Sequence, residues 1–301
     1  GIQTAILSLP EPGVWLGDAR PAAQLARRCN EFAAQLTQAY PGRLGSFASV
    51  PLPATELACA EAIHALDVLK ADGIVLLASN AGQYLGQPQF AELMAELQAR
   101  RATVFVHPNV HPSSQTLGLD TPAFMLEFAC DLTRAAVNLM LSGTLERYPH
   151  IRWVLAQGGG FLPYAAWRVS LANALPGFQD QAPQGVMNYL QRFYFDTAYS
   201  TSPASAAVLR ALVSPQRLLF GSDSPYLAAS AIDLQLQALA GGGTAERAAI
   251  LRGNALSLCG RFAAPGERVA VAPVYESEST VHWLKRSAGK PLAAIAQRFK
   301  D

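Results

Sequence analysis

The chain is 301 residues long, half of it apolar and only 15% charged, with a net charge of +1 at neutral pH. Such a composition belongs to a folded chain with a large core, and the scattered basic residues exclude the concentrated positive surface of a nucleic-acid binder. Apolar runs that are short and often broken by polar residues exclude helical membrane spans, which leaves two domains of ordinary size or one large α/β barrel.

In chain order, short β-like runs alternate with longer helical patterns. Strands are expected at residues 4–9, 44–50, 73–78, 103–107, 152–156, 193–196 and 218–221. Helices are expected at 22–39, 54–69, 88–100, 122–145, 162–174, 203–213, 229–239 and 245–259. Proline-led starts at Thr121-Pro122 and Ser202-Pro203, and Thr244 as an N-cap, mark several of the helix beginnings. Strict alternation argues for a parallel sheet covered by helices. Seven strands fall one short of a (β/α)8 TIM-type barrel. The expected fold is therefore such a barrel lacking its first strand, which would precede Gly1 in a trimmed sequence. An open doubly wound sheet is the runner-up, but the first strand-to-helix turn, residues 10–17, is not a Gly-rich phosphate loop. The barrel domain is placed at residues 1–262 and a C-terminal extension at 263–301. Residues 281–300 of that extension have the pattern of one or two short basic helices.

Cys29, Cys59, Cys130 and Cys259 lie far apart, inside or at the end of helical patterns. With no CxxC pair and no secretory leader, they point to reduced core thiols in a cytoplasmic protein.

Two of the strand-like runs end on a side chain that can hold a metal. Thr103-Val104-Phe105-Val106-His107 delivers an imidazole just before Pro108, and Arg217-Leu218-Leu219-Phe220-Gly221-Ser222-Asp223 delivers a carboxylate. In barrels of strand–helix units, the C-terminal rim of the strands is where chemistry sits. Imidazole is the commonest ligand for zinc-like ions, although a His in this position also serves as a hydrogen-bonded rim residue. Asp223 suits metal ligation and proton transfer, and equally an Asx-turn or a helix cap. After the strand at 152–156 comes Gln157-Gly158-Gly159-Gly160. These glycines allow either close backbone approach to a ligand or strand, or a tight strand-to-helix turn. Gln157 can donate and accept hydrogen bonds but cannot shuttle a proton near neutral pH. His64, His111, His150 and His282 have no metal-ligand spacing with one another and are read as lying outside the first coordination sphere.

An ordered set of short motifs adds to this reading. It runs through Tyr84-Leu85-Gly86, Val104-Phe105-Val106-His107-Pro108, Met125-Leu126-Glu127-Phe128, Leu132-Thr133-Arg134-Ala135 and Leu141-Ser142-Gly143-Thr144-Leu145. It continues with the triple glycine and Leu162-Pro163-Tyr164, Phe195-Asp196-Thr197-Ala198, Leu219-Phe220-Gly221-Ser222-Asp223 and Gly253-Asn254-Ala255. Across about residues 1–262 the chain resembles the decarboxylase branch of the amidohydrolase superfamily. That branch includes aminocarboxymuconate-semialdehyde decarboxylase and 6-methylsalicylate decarboxylase. The resemblance implies a (β/α)8 barrel holding one divalent metal, zinc or manganese. It makes His107 and Asp223 metal ligands, with Asp223 also catalytic, and places Gln157 where the family carries a catalytic His. It implies that Arg168 reaches the neighbouring subunit's site to bind a substrate carboxylate, in a homodimer. The family's first-strand His-x-His pair is not found in this sequence, so the metal is expected to be weakly bound or absent here. The implied function is metal-dependent decarboxylation of a small aromatic or unsaturated carboxylic acid, with activity impaired by Gln157. Hydrolysis of a lactone or related carbonyl compound, and a non-catalytic barrel, remain as alternatives.

Overall fold

The computed structural model describes residues 2–118 and 120–275. Seven strands form one parallel sheet: β1 (Ala5–Leu7), β2 (Leu44–Ser49), β3 (Gly73–Leu77), β6 (Thr103–His107), β7 (Arg152–Leu155), β8 (Tyr194–Asp196) and β9 (Leu218–Leu219), hydrogen-bonded in that order. Between β3 and β6 lies a small antiparallel hairpin, β4 (Ser79–Asn80) with β5 (Gln83–Tyr84), which the sequence pattern did not predict. Register pairs Leu77 with His107, Val106 with Leu155, Leu155 with Phe195, and Asp196 with Leu219. The outer strands β1 and β9 are not paired with each other, so the sheet is a (β/α)8 barrel one strand short of closure.

Alternation along each strand separates two apolar layers. Val104, Val106, Leu155 and Phe195 face outward and pack with Leu93, Leu97, Leu132, Leu139 and Tyr189 of the covering helices. Phe105, Val154, Tyr194 and Leu219 belong to an inner cluster with Leu258, Cys259 and Phe262. The inner cluster fills the barrel floor, and Phe47 lies against Phe105 with ring centroids 5.8 Å apart. His107 is two residues beyond Phe105 and so lies on the inward face.

The first helix, Ala19–Ala39, begins where the Asp18 carboxylate accepts from Arg20 N at 3.0 Å. It buries Ala22, Ala26, Asn30 and Ala34 at four-residue spacing. Ser202 caps Pro203–Leu212, accepting from Ser205 N at 3.1 Å. Several expected helices are broken in the structure. The 122–145 pattern becomes Glu127–Leu141 and Thr144–Arg147, separated at Gly143, whose φ of 78° ends the first helix. Single π-turns at His64–Val68 and Ala249–Gly253 interrupt the 54–69 and 245–259 patterns. Thr244 opens its helix instead of capping it; the cap position is Gly243, with φ 86°. Residues 263–275 carry no helix or strand, and the expected helices of 281–300, with His282, lie outside the described residues. Among the described residues no helix is long and apolar enough to cross a membrane. All four cysteines are free thiols, with Cys59 and Cys259 buried.

The end of the barrel sequence is tied back to its beginning. Arg261 Nη2 donates to Asp72 Oδ2 at 2.7 Å, and the same oxygen accepts from Ser46 N at 2.9 Å. The Asp72 side chain is only 4% exposed, against 43% for Arg261. Arg261→Ala is expected to leave that carboxylate without its counter-charge and to cost about 1–2 kcal/mol. Thermal melts should show Tm lowered by about 2–6 °C.

Candidate active site

The mouth of the barrel gathers side chains from four consecutive strand ends. His107 closes β6, Gln157 follows β7, Asp196 closes β8, and Asp223 follows β9. His107 is buried, and its Nδ1 lies 2.8 Å from Pro108 O. A carbonyl can only accept, so Nδ1 carries the proton and Nε2 keeps its lone pair for a ligand. Phe128 meets the imidazole edge-on, with centroids 6.2 Å apart. Burial holds the imidazole below its ordinary pKa, while the Pro108 bond and the nearby Asp223 carboxylate act in the opposite sense.

Asp196 is the most enclosed acid of the group. Its Oδ1 accepts from Gln157 N at 3.0 Å and Ala198 N at 2.9 Å. Burial pushes its carboxyl up to about 7, and the Asp223 charge adds to the rise. Burial and the nearby Asp223 carboxylate push the Tyr199 phenol up to about 12. The structure thus brings His107, Gln157 and Asp223 to one mouth, together with Asp196 and Tyr199, which the sequence reading did not select. Asp196 carried a usable signal, because the run at 193–196 ends on an acid just as the His107 and Asp223 runs end on ligating groups. Tyr199 carried none.

Backbone strain concentrates here. Gln157, Tyr199 and Asp223 have φ of 49°, 55° and 51°, a left-handed region that non-glycine residues seldom occupy. The triple glycine has φ of 64°, 75° and 65°. A Cβ would come within 2.4 Å of Ser200 Oγ at Gly158 and within 2.3 Å of Ala129 O at Gly160. The glycines therefore serve a tight turn packed on protein.

One helix, Glu127–Leu141, supports both sides of the site. Asp131, fully buried, accepts from Ser79 Oγ at 3.0 Å and from Asn109 N at 3.1 Å, fixing the loop beyond His107. Thr133 Oγ1 accepts from Phe161 N at 2.8 Å, fixing the turn beyond Gln157.

The other sequence candidates lie elsewhere. Arg168 stands exposed on the helix Leu162–Ser170, its side chain without a hydrogen bond or ion pair among the described residues. The His111 ring nitrogens face Ser113 Oγ at 2.8 Å and Gly82 O at 3.1 Å. His150 bonds Gln98.

His107 Nε2 and the Asp223 carboxylate are suitable donors for a divalent metal. Among the described residues, however, no group of three or more His, Cys, Asp or Glu side chains could hold one. Catalytic metal sites ordinarily use three protein ligands, so these two donors alone do not make a complete site.

A parallel barrel that collects an imidazole and two carboxylates at its C-terminal rim is the architecture of a barrel enzyme. The chain belongs to the amidohydrolase family, whose model, described as amidohydrolase, matches residues 5–261. It is 36% identical over 278 residues to a 6-methylsalicylic acid decarboxylase of Aspergillus aculeatus, covering 87% of this chain and 83% of that one. It is 28% identical over 242 residues to a gamma-resorcylate decarboxylase of Polaromonas sp., covering 75% and 74%. Among solved structures, a dihydroxybenzoic acid decarboxylase from Polaromonas sp., with bound manganese and the inhibitor 2-nitroresorcinol, superposes with a TM-score of 0.79. Its sequence identity is 27%, over 88% of this chain and 84% of that one.

Proposed function

We propose that this protein is a metal-dependent carboxy-lyase acting on a small hydroxylated aromatic acid. The observation that carries the reading is the meeting of His107 and Asp223 at the inward rim, with the buried Asp196 behind them. The named activities of the relatives and the manganese in the solved neighbour support it. Zinc or manganese is the proposed ion, held in part by His107 Nε2 and Asp223. An eighth strand, standing between β1 and β9 and bearing further donors, would complete its ligand set. When bound, the ion would supply Lewis-acid polarisation of a substrate oxygen.

The chain's own residues divide the remaining work. A proton must reach the ring carbon that bears the carboxylate; the C–C bond then breaks, its electrons return to the ring, and CO2 leaves. Asp223, with Tyr199 nearby, is the group placed to pass that proton. Gln157 can orient substrate through its amide but cannot transfer a proton itself. The inward Phe105 and Phe128 rings beside His107 exclude water and offer an apolar face to an aromatic ring. Protein expressed from its complete reading frame should contain near-stoichiometric zinc or manganese and release CO2 from hydroxybenzoates. His107→Ala should reduce both. Absence of metal together with absence of CO2 release would end the proposal.

A homodimer is proposed as the working unit, in the reducing cytoplasm to which the free thiols are suited. The helix Leu162–Ser170 supports it. Tyr164 and Trp167 are 89% and 76% exposed, and Leu171 just beyond is also exposed. Together they make an apolar row that a second copy would cover. Arg168 lies beside this row and would enter the partner's mouth to pair with a substrate carboxylate. Trp167→Glu should convert the dimer to monomer in analytical ultracentrifugation; a wild-type chain that already sediments as a monomer would refute the arrangement.

A further inference from the structure

At the opposite end of the barrel two arginines are buried without an anion among the described residues. Arg217 immediately precedes β9 and Arg192 lies two residues before β8; they are 7% and 8% exposed. Neither forms an ion pair with a described carboxylate. Arg217 sends Nη1 to Arg192 O at a long 3.4 Å and Nη2 to the Tyr275 hydroxyl. Arg192 sends Nη2 to Pro149 O at 3.3 Å, and its Nη1 finds no acceptor among the described residues. Glu146 acts on Arg192 only through space, and its Oε2 already accepts from Tyr189 Oη at 2.7 Å and Gln184 Nε2 at 3.0 Å.

Buried guanidinium groups are costly unless acceptors or an anion answer them. Aromatic rings do part of this work. The Tyr275 ring lies 4.6 Å from Arg192 Cζ and 5.4 Å from Arg217 Cζ, and Tyr194 lies 4.4 Å from Arg217 Cζ. A ring stacked on a guanidinium covers its flat face, however, while the N–H donors point outward in the plane. Stacking therefore supplies no counter-charge, and Arg192 Nη1 stays without an acceptor among the described residues.

Arg217 borders a cavity of about 490 Å³ between Tyr194, Tyr275, Asn254, Gln191 and Gln216. No Asp or Glu lines it among the described residues. Its volume suits a small organic molecule. Its walls combine that guanidinium, two phenols and three amides with two serines and the apolar residues 270–273, and the two glutamines are exposed at the rim.

We infer that this cavity is a second binding site, remote from the mouth, for a small oxyanion that pairs with Arg217 against the Arg192–Tyr275 stack. Carboxylate and phosphate share the chemistry a guanidinium fork recognises, so the two sources are separated by experiment. Calorimetric titration of the full chain with inorganic phosphate, and separately with benzoate, should give saturable binding of at least one. Arg217→Met, which keeps the stem and removes the charge, should weaken it by about tenfold or more. The exposed double variant Gln191→Glu with Gln216→Glu sets repulsive charge at the rim without touching the core, and should weaken it as well. Binding confined to phosphate identifies a phosphorylated or inorganic ligand, and binding confined to benzoate identifies a carboxylic acid. No saturable binding of either anion to the wild-type chain, or undiminished binding in the folded rim variant, overturns the site.

Discussion

Gln157→His is expected to raise decarboxylation by about a hundredfold to ten-thousandfold, the range over which a positioned acid or base acts. The backbone is prepared for it. Position 157 holds φ 49°, and its N–H is pinned to Asp196 Oδ1 at 3.0 Å. Histidine is among the residues enriched in that left-handed region, so the exchange should add no strain. The imidazole would project beside Asp196 and Asp223, where Gln157 presents an amide that makes no side-chain hydrogen bond among the described residues. Turnover on a hydroxybenzoate, measured at matched metal content, checks the result. A gain that appears in kcat with KM little changed would fit a proton-transfer role; an unchanged rate would mean that proton delivery at this position does not limit the reaction.

Gly221→Ala should be the most damaging single methyl at the site. A Cβ there would lie 2.6 Å from Asp196 Cγ and 2.7 Å from its Oδ1. Those are carboxylate atoms held by two backbone N–H groups, so they have little room to yield. Overpacking of this kind costs about 1–3 kcal/mol, which corresponds to a Tm about 2–9 °C lower. Activity should fall more steeply than stability, because the displaced Asp196 carries the Gln157 turn with it and Asp223 follows two residues after the substitution. Melting curves together with kcat on the same preparations separate the two effects. A variant that melts normally and turns over normally would show that the Asp196–Gly221 contact does not position the site.

Much of this site was legible before any coordinates. The two strand-like runs ending on His107 and Asp223 were readable as they stand, and the structure sets both at the C-terminal rim of the sheet. Strand and helix alternation led to the parallel order of the sheet. What was not legible depends on distance through space. The bond between Gln157 N and Asp196 joins residues 39 apart, and nothing local announces it. The β4–β5 hairpin has two residues per strand, too few for a pattern. The π-turns inside two expected helices rest on i→i+5 backbone bonds that no residue type marks, so the patterns read straight through them. The triple glycine was visible as a turn, but its packing against Ser200 and Ala129 was not.

The helix Glu127–Leu141 has one further consequence. Because Asp131 grips the loop after His107 and Thr133 grips the turn after Gln157, both walls of the mouth ride on a single rigid cylinder. A bound molecule that pushes on one wall must therefore drag the other along. The pocket would widen or tighten as a whole, so a bulkier ring should lose alignment with donor and acceptor groups together.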